Sequence, residues 1–480
     1  MPQGGQSGEK DSEDKGYMNL YILTEERPKK EVLELIIKHF LQDKKICAFL
    51  DNVKILPIVK DGRFIFTYEI LGVSCNAIKK IYVKIVSGKS SFVDYLIFFQ
   101  HTEPTHTDTP LYAIEKTKTN DSESRNTGVY QRITKFVYID YFYPQIRKIM
   151  LYQLKTTLKK PTHTSIFGTR ILRTLGVEIM GKDFTQESEI LKPFSSTEEL
   201  ISYKSTMRKP PKGNVPLSIC KKDNTITISA RLIKNNALAH DPNIGAISGI
   251  CAALRKLGFQ GQIELVSHGL EQKHIKKNNK LLQIANLYHF TLQGLELPET
   301  PIPKIYWHYE REGEKLATIF LHLVIEYCSS GYGIFENHAG CEKSYFLTSK
   351  GEYIALQKYE NRALYKQGDK NARLFIPDLI VLDPINLEII NIEGKKYCNK
   401  NKGIQELQNY DYIEKEYIAK HYEGYKIIRT LVLYGSLCEK LVDIEVGFLL
   451  NASGKMVLGI KAPKIFTQSL ENLLHYWNPQ

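Results

Sequence analysis

Two closely spaced apolar runs dominate the last third of the chain. They are Ile376-Pro377-Asp378-Leu379-Ile380-Val381-Leu382 and Leu387-Glu388-Ile389-Ile390-Asn391-Ile392-Glu393-Gly394-Lys395. Their length and β-branched content predict buried strands. The Asp383-Pro384-Ile385-Asn386 link between them carries the turn chemistry of a chain reversal. Before them, Leu316, Ile319, Phe320, Leu323 and Tyr327 recur at helical spacing. Gly331 and Gly333 then predict a turn, and Tyr353 to Leu356 a strand. After Lys395, one helical face carries Ile404, Leu407, Tyr410, Ile413 and Tyr417, and Tyr425 to Tyr434 reads as a further buried strand ended by Gly435.

The earlier part of the chain reads as mixed α/β. Val32 to Phe40 has helical periodicity, while Gly62 to Leu71, Lys80 to Val86, Phe92 to Phe99 and Leu111 to Ile114 have strand character. Thr225 to Ile233 predicts a strand, Ile244 to Leu257 a helix stopped by Gly258, and Gln262 to Val266 another strand. Two proline-rich stretches, Arg208 to Gly213 and Leu297 to Pro303, mark candidate boundaries, and the second coincides with a change of pattern. The expected division is a disordered tail over 1–17, a large region over 18–300 and a C-terminal domain over 301–480.

Composition narrows the partners. Lysine and arginine exceed aspartate and glutamate by 65 to 53, a net charge of +12 that suits a polyanion. The eight cysteines are scattered with no CxxC pair, as expected of reduced core thiols and a cytoplasmic protein. The polar start of the chain has no signal-peptide core. The longest apolar run, Leu316 to Cys328, is broken by Thr318, His322 and Glu326, so no membrane partner is expected.

Chemistry converges on the C-terminal strand pair. On a hairpin Asp378 and Glu393 reach the same sheet edge, and Glu393 and Lys395, two apart, share a face. Two carboxylates and an ammonium there suit a hard divalent cation and the water it activates. Pro377-Asp378 and Glu393-Gly394-Lys395 resemble the motif of the PD-(D/E)XK nuclease superfamily. The resemblance implies a mixed-sheet, restriction-endonuclease-like αβββαβ core. It implies Mg²⁺ held by Asp378, Glu393 and the Gly394 carbonyl, with Lys395 orienting the water or stabilising the phosphate. It also implies a fourth group from the preceding helix. Glu314 fits best, with Glu326 behind it, although either also reads as a solvated helix glutamate. Lys396, Lys400 and Lys402 are expected to follow a DNA backbone.

Phe92 to Ile97 and Leu111 to Lys118 repeat the theme with Asp94 and Glu115, 21 residues apart. The residue two after Glu115 is Thr117, and Lys118 lies one further on, where a bulge would be needed to bring it round. This region is either a second metal-binding centre (Asp94, Glu115, Lys118) or a basic loop gripping DNA, with Arg125 and Arg132 as expected contacts. Paired unlike centres in one chain resemble type IIS restriction enzymes of the BsmI kind. The expectation is therefore a type II restriction endonuclease, a Mg²⁺-dependent hydrolase of specific double-stranded DNA sites. It would act as a monomer or dimer and be paired functionally with a cognate DNA methyltransferase. The alternatives are a structure-specific repair or recombination nuclease, or a DNA-binding protein with a decayed nuclease fold.

Overall fold

The computed structural model describes residues 17–477 except 61–62, 89–90, 118–127, 153–162, 181–191, 208–215, 235–236, 239–240, 276–279, 312, 342, 359–372, 435–448, 451–455 and 458–462. The expected tail thus lies, but for Tyr17, outside the described residues. The protein is mixed α/β.

The N-terminal elements are β1 (Met18–Thr24), α1 (Lys30–Asp43), β2 (Ala48–Lys60), β3 (Arg63–Cys75), β4 (Ile78–Gly88), β5 (Tyr95–Gln100), β6 (Tyr112–Thr117), α2 (Gly128–Phe142), β7 (Arg147–Tyr152), α3 (His163–Thr174) and β8 (Val177–Met180). Their strands form one sheet in the order β2-β3-β4-β1-β5-β6-β7-β8. Within it, β1 runs parallel to β4, β5 runs antiparallel to both β1 and β6, and α2 crosses over to bring β7 parallel to β6.

After α4 (Thr197–Thr206) comes a smaller unit. Its elements are β9 (Ser218–Lys222), β10 (Thr225–Ala230), the two-residue strands β11 (Ile233–Lys234) and β12 (Ala237–Leu238), α5 (Asp241–Lys256), β13 (Gln262–Ser267), α6 (Lys280–Tyr288) and β14 (Phe290–Leu292). Four of the strands form a sheet in the order β14-β13-β10-β9. Helix α5 lies against α2 so closely that a Cβ on Gly245 would stand 1.8 Å from the Tyr130 carbonyl oxygen. Only glycine permits that approach.

The chain past residue 300 first returns to the N-terminal sheet, where β15 (Trp307–Tyr309) pairs with β4. Then follow α7 (Gly313–Cys328), β16 (Tyr332–Glu336), β17 (Lys343–Leu347), β18 (Tyr353–Gln357), β19 (Leu379–Asp383), β20 (Glu388–Lys396), α8 (Lys400–Leu407) and a helical stretch over 411–421. β21 (Lys426–Tyr434), β22 (Leu449–Leu450), β23 (Met456–Val457) and α9 (Lys464–Trp477) complete the chain. The C-terminal sheet has the order β16-β19-β20-β21, antiparallel through the first three strands and parallel at the last pair.

One expectation is corrected here. The strand at Tyr353 to Leu356 exists, but among the described residues it pairs only with β17, in a separate hairpin. The sheet is completed instead by β16, in the glycine-rich stretch expected to be a turn. Gly333 is accommodated in that strand because the His322 ring packs where its Cβ would be, 2.3 Å from Nε2.

Helix α7 is apolar nearly all round because it packs on two sides. Leu316, Ile319 and Leu323 join the core beneath β1, β4 and β5, and Ala317, Phe320, Leu321 and Val324 join the core of the C-terminal sheet. The expected boundary at 300/301 is therefore bridged by β15 and by α7. No helix among the described residues is long and apolar enough to cross a membrane.

Candidate active site

The turn between β19 and β20 fixes the hairpin register. Asp383 Oδ1 accepts from the Ile385 and Asn386 backbone N–H groups at 3.0 and 3.1 Å, an Asx-type turn. The register pairs Leu379 with Ile392, so one step further Asp378 stands opposite Glu393. Asp378 Oδ2 accepts from the Gly394 backbone N–H at 2.9 Å. Lys395 projects from the same face as Glu393, donates to Glu393 Oε1 and also lies 2.8 Å from Glu406 Oε2 on α8. The Tyr410 hydroxyl donates to the other Glu393 oxygen. From the start of α7, Glu314 Oε1 accepts from the Lys396 N–H at 3.3 Å. The structure thus brings Asp378, Glu393, Gly394, Lys395 and Glu314 together. Glu326 instead pairs with Arg27 at 2.6 Å.

Burial is the main cause of the electrostatics. It raises the Asp378 carboxyl, helped by Glu314 and opposed by Gly394 N–H and Lys395. It also raises Glu393, to which repulsion from Asp378 adds. Burial alone would lower the Lys395 ammonium, but Glu393 and Glu406 hold its pKa above the usual lysine value. The cluster is a cation gripped by carboxylates that repel one another.

The N-terminal sheet carries a second pair built alike. Tyr95 pairs with Ile114, so Asp94 stands opposite Glu115. Asp94 Oδ2 accepts from the Lys116 backbone N–H at 2.8 Å, and Glu115 Oε2 from the Asp94 N–H at 3.0 Å. In both centres an aspartate one step before its strand holds the N–H of the residue just after the glutamate. The ammonium differs in origin. Thr117 is the residue two after Glu115, and α2 supplies Lys135, 2.8 Å from Glu115 Oε1 and 3.5 Å from Asp94 Oδ1. Arg132 donates to the carbonyls of Lys116 and Gly128 and lies 3.5 Å from Glu115, so its guanidinium faces the centre. Burial, then repulsion from Asp94, pushes the Glu115 carboxyl up to about 8, against the pull of Lys135 and Arg132. Lys118 and Arg125 lie outside the described residues.

Lys396, Lys400 and Lys402 are exposed beside the C-terminal centre, with Lys402 4.0 Å from Glu406. Lys135, Glu406 and Tyr410 went unassigned in the sequence because the first two reach their sites from helices and Tyr410 from the link after α8, with no fixed spacing to the strand motif. No family model, curated protein or solved structure matches the chain. Among the described residues no disulfide joins two cysteines.

Proposed function

We propose that the protein is a Mg²⁺-dependent endonuclease with two phosphodiester-cleaving centres, a type II restriction enzyme acting on double-stranded DNA. The observation that carries this reading is the repeated construction of Asp378/Glu393 and Asp94/Glu115. Both pairs occupy equivalent register positions in a strand set connected as three antiparallel strands, a helical crossover and a fourth parallel strand. Surface hairpin charges have no reason to recur in that register. In the C-terminal half, α7 precedes such a set, which is the αβββαβ order of restriction-endonuclease-like cores.

The donor set fits Mg²⁺, which prefers carboxylate oxygens and retains waters for a phosphate to share. A bound Mg²⁺ would lower the pKa of a water and offset charge on the pentavalent phosphorus. Asp378 and Glu393 would hold it, with Asp94 and Glu115 doing so in the N-terminal centre. Lys395 would leave Glu393, stay anchored to Glu406 and position the attacking water. Lys135 would take that part beside Glu115. The water oxygen bonds to phosphorus while the phosphorus–oxygen ester bond breaks, giving a phosphate monoester and an alcohol. Two centres would serve two strands of opposite polarity, and a methyltransferase of matching specificity would protect host DNA.

The test is digestion of phage DNA and supercoiled plasmid with Mg²⁺, alongside Asp378→Asn and Glu115→Gln. Discrete fragments, with each variant nicking a different strand, are expected. A smear or cleavage confined to branched substrates would favour the repair nuclease, and no cleavage would favour the decayed fold.

A further inference from the structure

One turn along α7 from Thr318, a different donor set lies between α7 and the end of β16. His322 Nδ1 and His338 Nε2 are 3.0 Å apart. Glu336 Oε2 is 3.6 Å from the first and 3.9 Å from the second. The point equidistant from these three atoms lies about 2.1 Å from each, within the range of zinc–nitrogen and zinc–oxygen bonds.

We infer that His322, Glu336 and His338 form a binding site for a divalent transition-metal ion of the zinc class, separate from the carboxylate centres.

The surroundings suit ligation. Thr318 Oγ1 is 3.0 Å from the Glu314 carbonyl oxygen, to which only the hydroxyl can donate. The 2.9 Å contact of Thr318 Oγ1 with His338 Nδ1 therefore has the ring N–H as donor. This leaves the lone pair of His338 on Nε2, aimed at His322 and Glu336. A second group fixing the tautomer in this way is the usual support of a metal-binding histidine. Gly333 lets His322 sit against β16, since a Cβ there would meet its ring. Both imidazoles are buried, as a ligating ring held in place by packing would be. Arg27 and Lys29 fix the Glu336 carboxylate. Lys29 binds Oε1, and Oε2 has a second lone pair beside its bond to Arg27.

Two borderline imidazole nitrogens with one carboxylate oxygen suit zinc better than magnesium, which prefers all-oxygen ligands. All three residues line a cavity of about 700 Å³ with Arg27, Lys29 and Lys315. A fourth coordination position would open there to water or to an anion. The site would tie α7 to β16 and to the loop that follows it.

The test uses the full chain stripped with chelator and then dialysed against Zn²⁺ or Co²⁺, with bound metal measured by mass spectrometry. One ion per chain is expected to persist in an Asp378→Asn/Asp94→Asn background. His338→Asn and Glu336→Gln should each weaken it at least tenfold. Bound Co²⁺ should give the intense visible bands of low coordination, and Zn²⁺ should raise the melting temperature of the wild type but not of His338→Asn. His322 is the most enclosed ligand, so His338→Asn and the wild-type cobalt spectrum carry the test if His322 variants fail to fold. No bound ion in the wild type would overturn the inference. So would equal binding by His338→Asn, or loss of the cobalt bands in the aspartate variants alone.

Discussion

Gly394 donates its backbone N–H to Asp378 Oδ2 at 2.9 Å, and a Cβ on Gly394 would lie 2.7 Å from Thr318 Cγ2 and 3.3 Å from that same oxygen. The glycine between Glu393 and Lys395 is thus where strand β20 meets helix α7 with no room for a side chain. Gly394→Ala should force the strand off the helix and move both flanking site residues. Such overpacking typically costs about 1–3 kcal/mol. The expected outcome is a melting temperature lower by several degrees and cleavage reduced at least tenfold. Thr318→Ser removes the obstructing methyl while keeping Oγ1 for His338, so the double variant should recover part of both losses. A single variant with unchanged stability and rate would show that the contact is not restrictive.

The two ammonium groups offer the sharpest dissection of the centres. Lys395 and Lys135 reach equivalent glutamates from different elements, one from the strand itself and one from α2. Lys395→Ala should lower the cleavage rate of one strand by roughly 10²–10³, the size typical of losing one preorganised electrostatic partner, with DNA affinity nearly unchanged. Lys135→Ala should do the same for the other strand, so nicked circular plasmid accumulates with each. Linearisation by Lys135→Ala at the wild-type rate would remove Lys135 from the chemistry.

The elements that sequence made legible are those with an unbroken local pattern. β19 and β20 were readable from continuous apolar runs, and α7 from its period, since burial of these strands and of this helix demands it. Asp378, Glu393 and Lys395 followed because one hairpin sets their geometry. β16 was hidden because Gly331 and Gly333 erase strand patterning, and their role depends on Ile465 and His322 from distant helices. Lys135 was missed because its place at Glu115 comes from a crossover helix 20 residues on, whose rotation only packing fixes. His322, Glu336 and His338 likewise meet only when α7 lies against β16.

Glu115 makes stability depend on pH in a defined direction. Its folded pKa is about 8, against an ordinary value of 4.5. Between these values the folded chain holds a proton that the unfolded chain has released, so stability falls as pH rises through the window. The slope approaches about 1.4 kcal/mol per pH unit for one proton. Without divalent metal, melting temperature should drop from pH 5 to pH 8, and Glu115→Gln should flatten part of that drop. Mg²⁺ should flatten it too, by favouring the ionised carboxylate. A Glu115→Gln profile parallel to wild type would place the proton elsewhere.

The exposed lysines beside the C-terminal centre should govern affinity rather than chemistry. Among the described residues no buried carboxylate holds Lys396, Lys400 or Lys402, and Lys402 only reaches Glu406 at 4.0 Å. Each one that neutralises a phosphate releases condensed counterions, which sets the slope of log K against log salt at about −0.9 per contact. Single alanine substitutions should therefore weaken binding to cognate and unrelated duplexes alike. Each should make the salt slope shallower by about one, while single-turnover cleavage at saturating protein stays near wild type. If a substitution weakened only the cognate duplex, that lysine would be reading bases rather than phosphates.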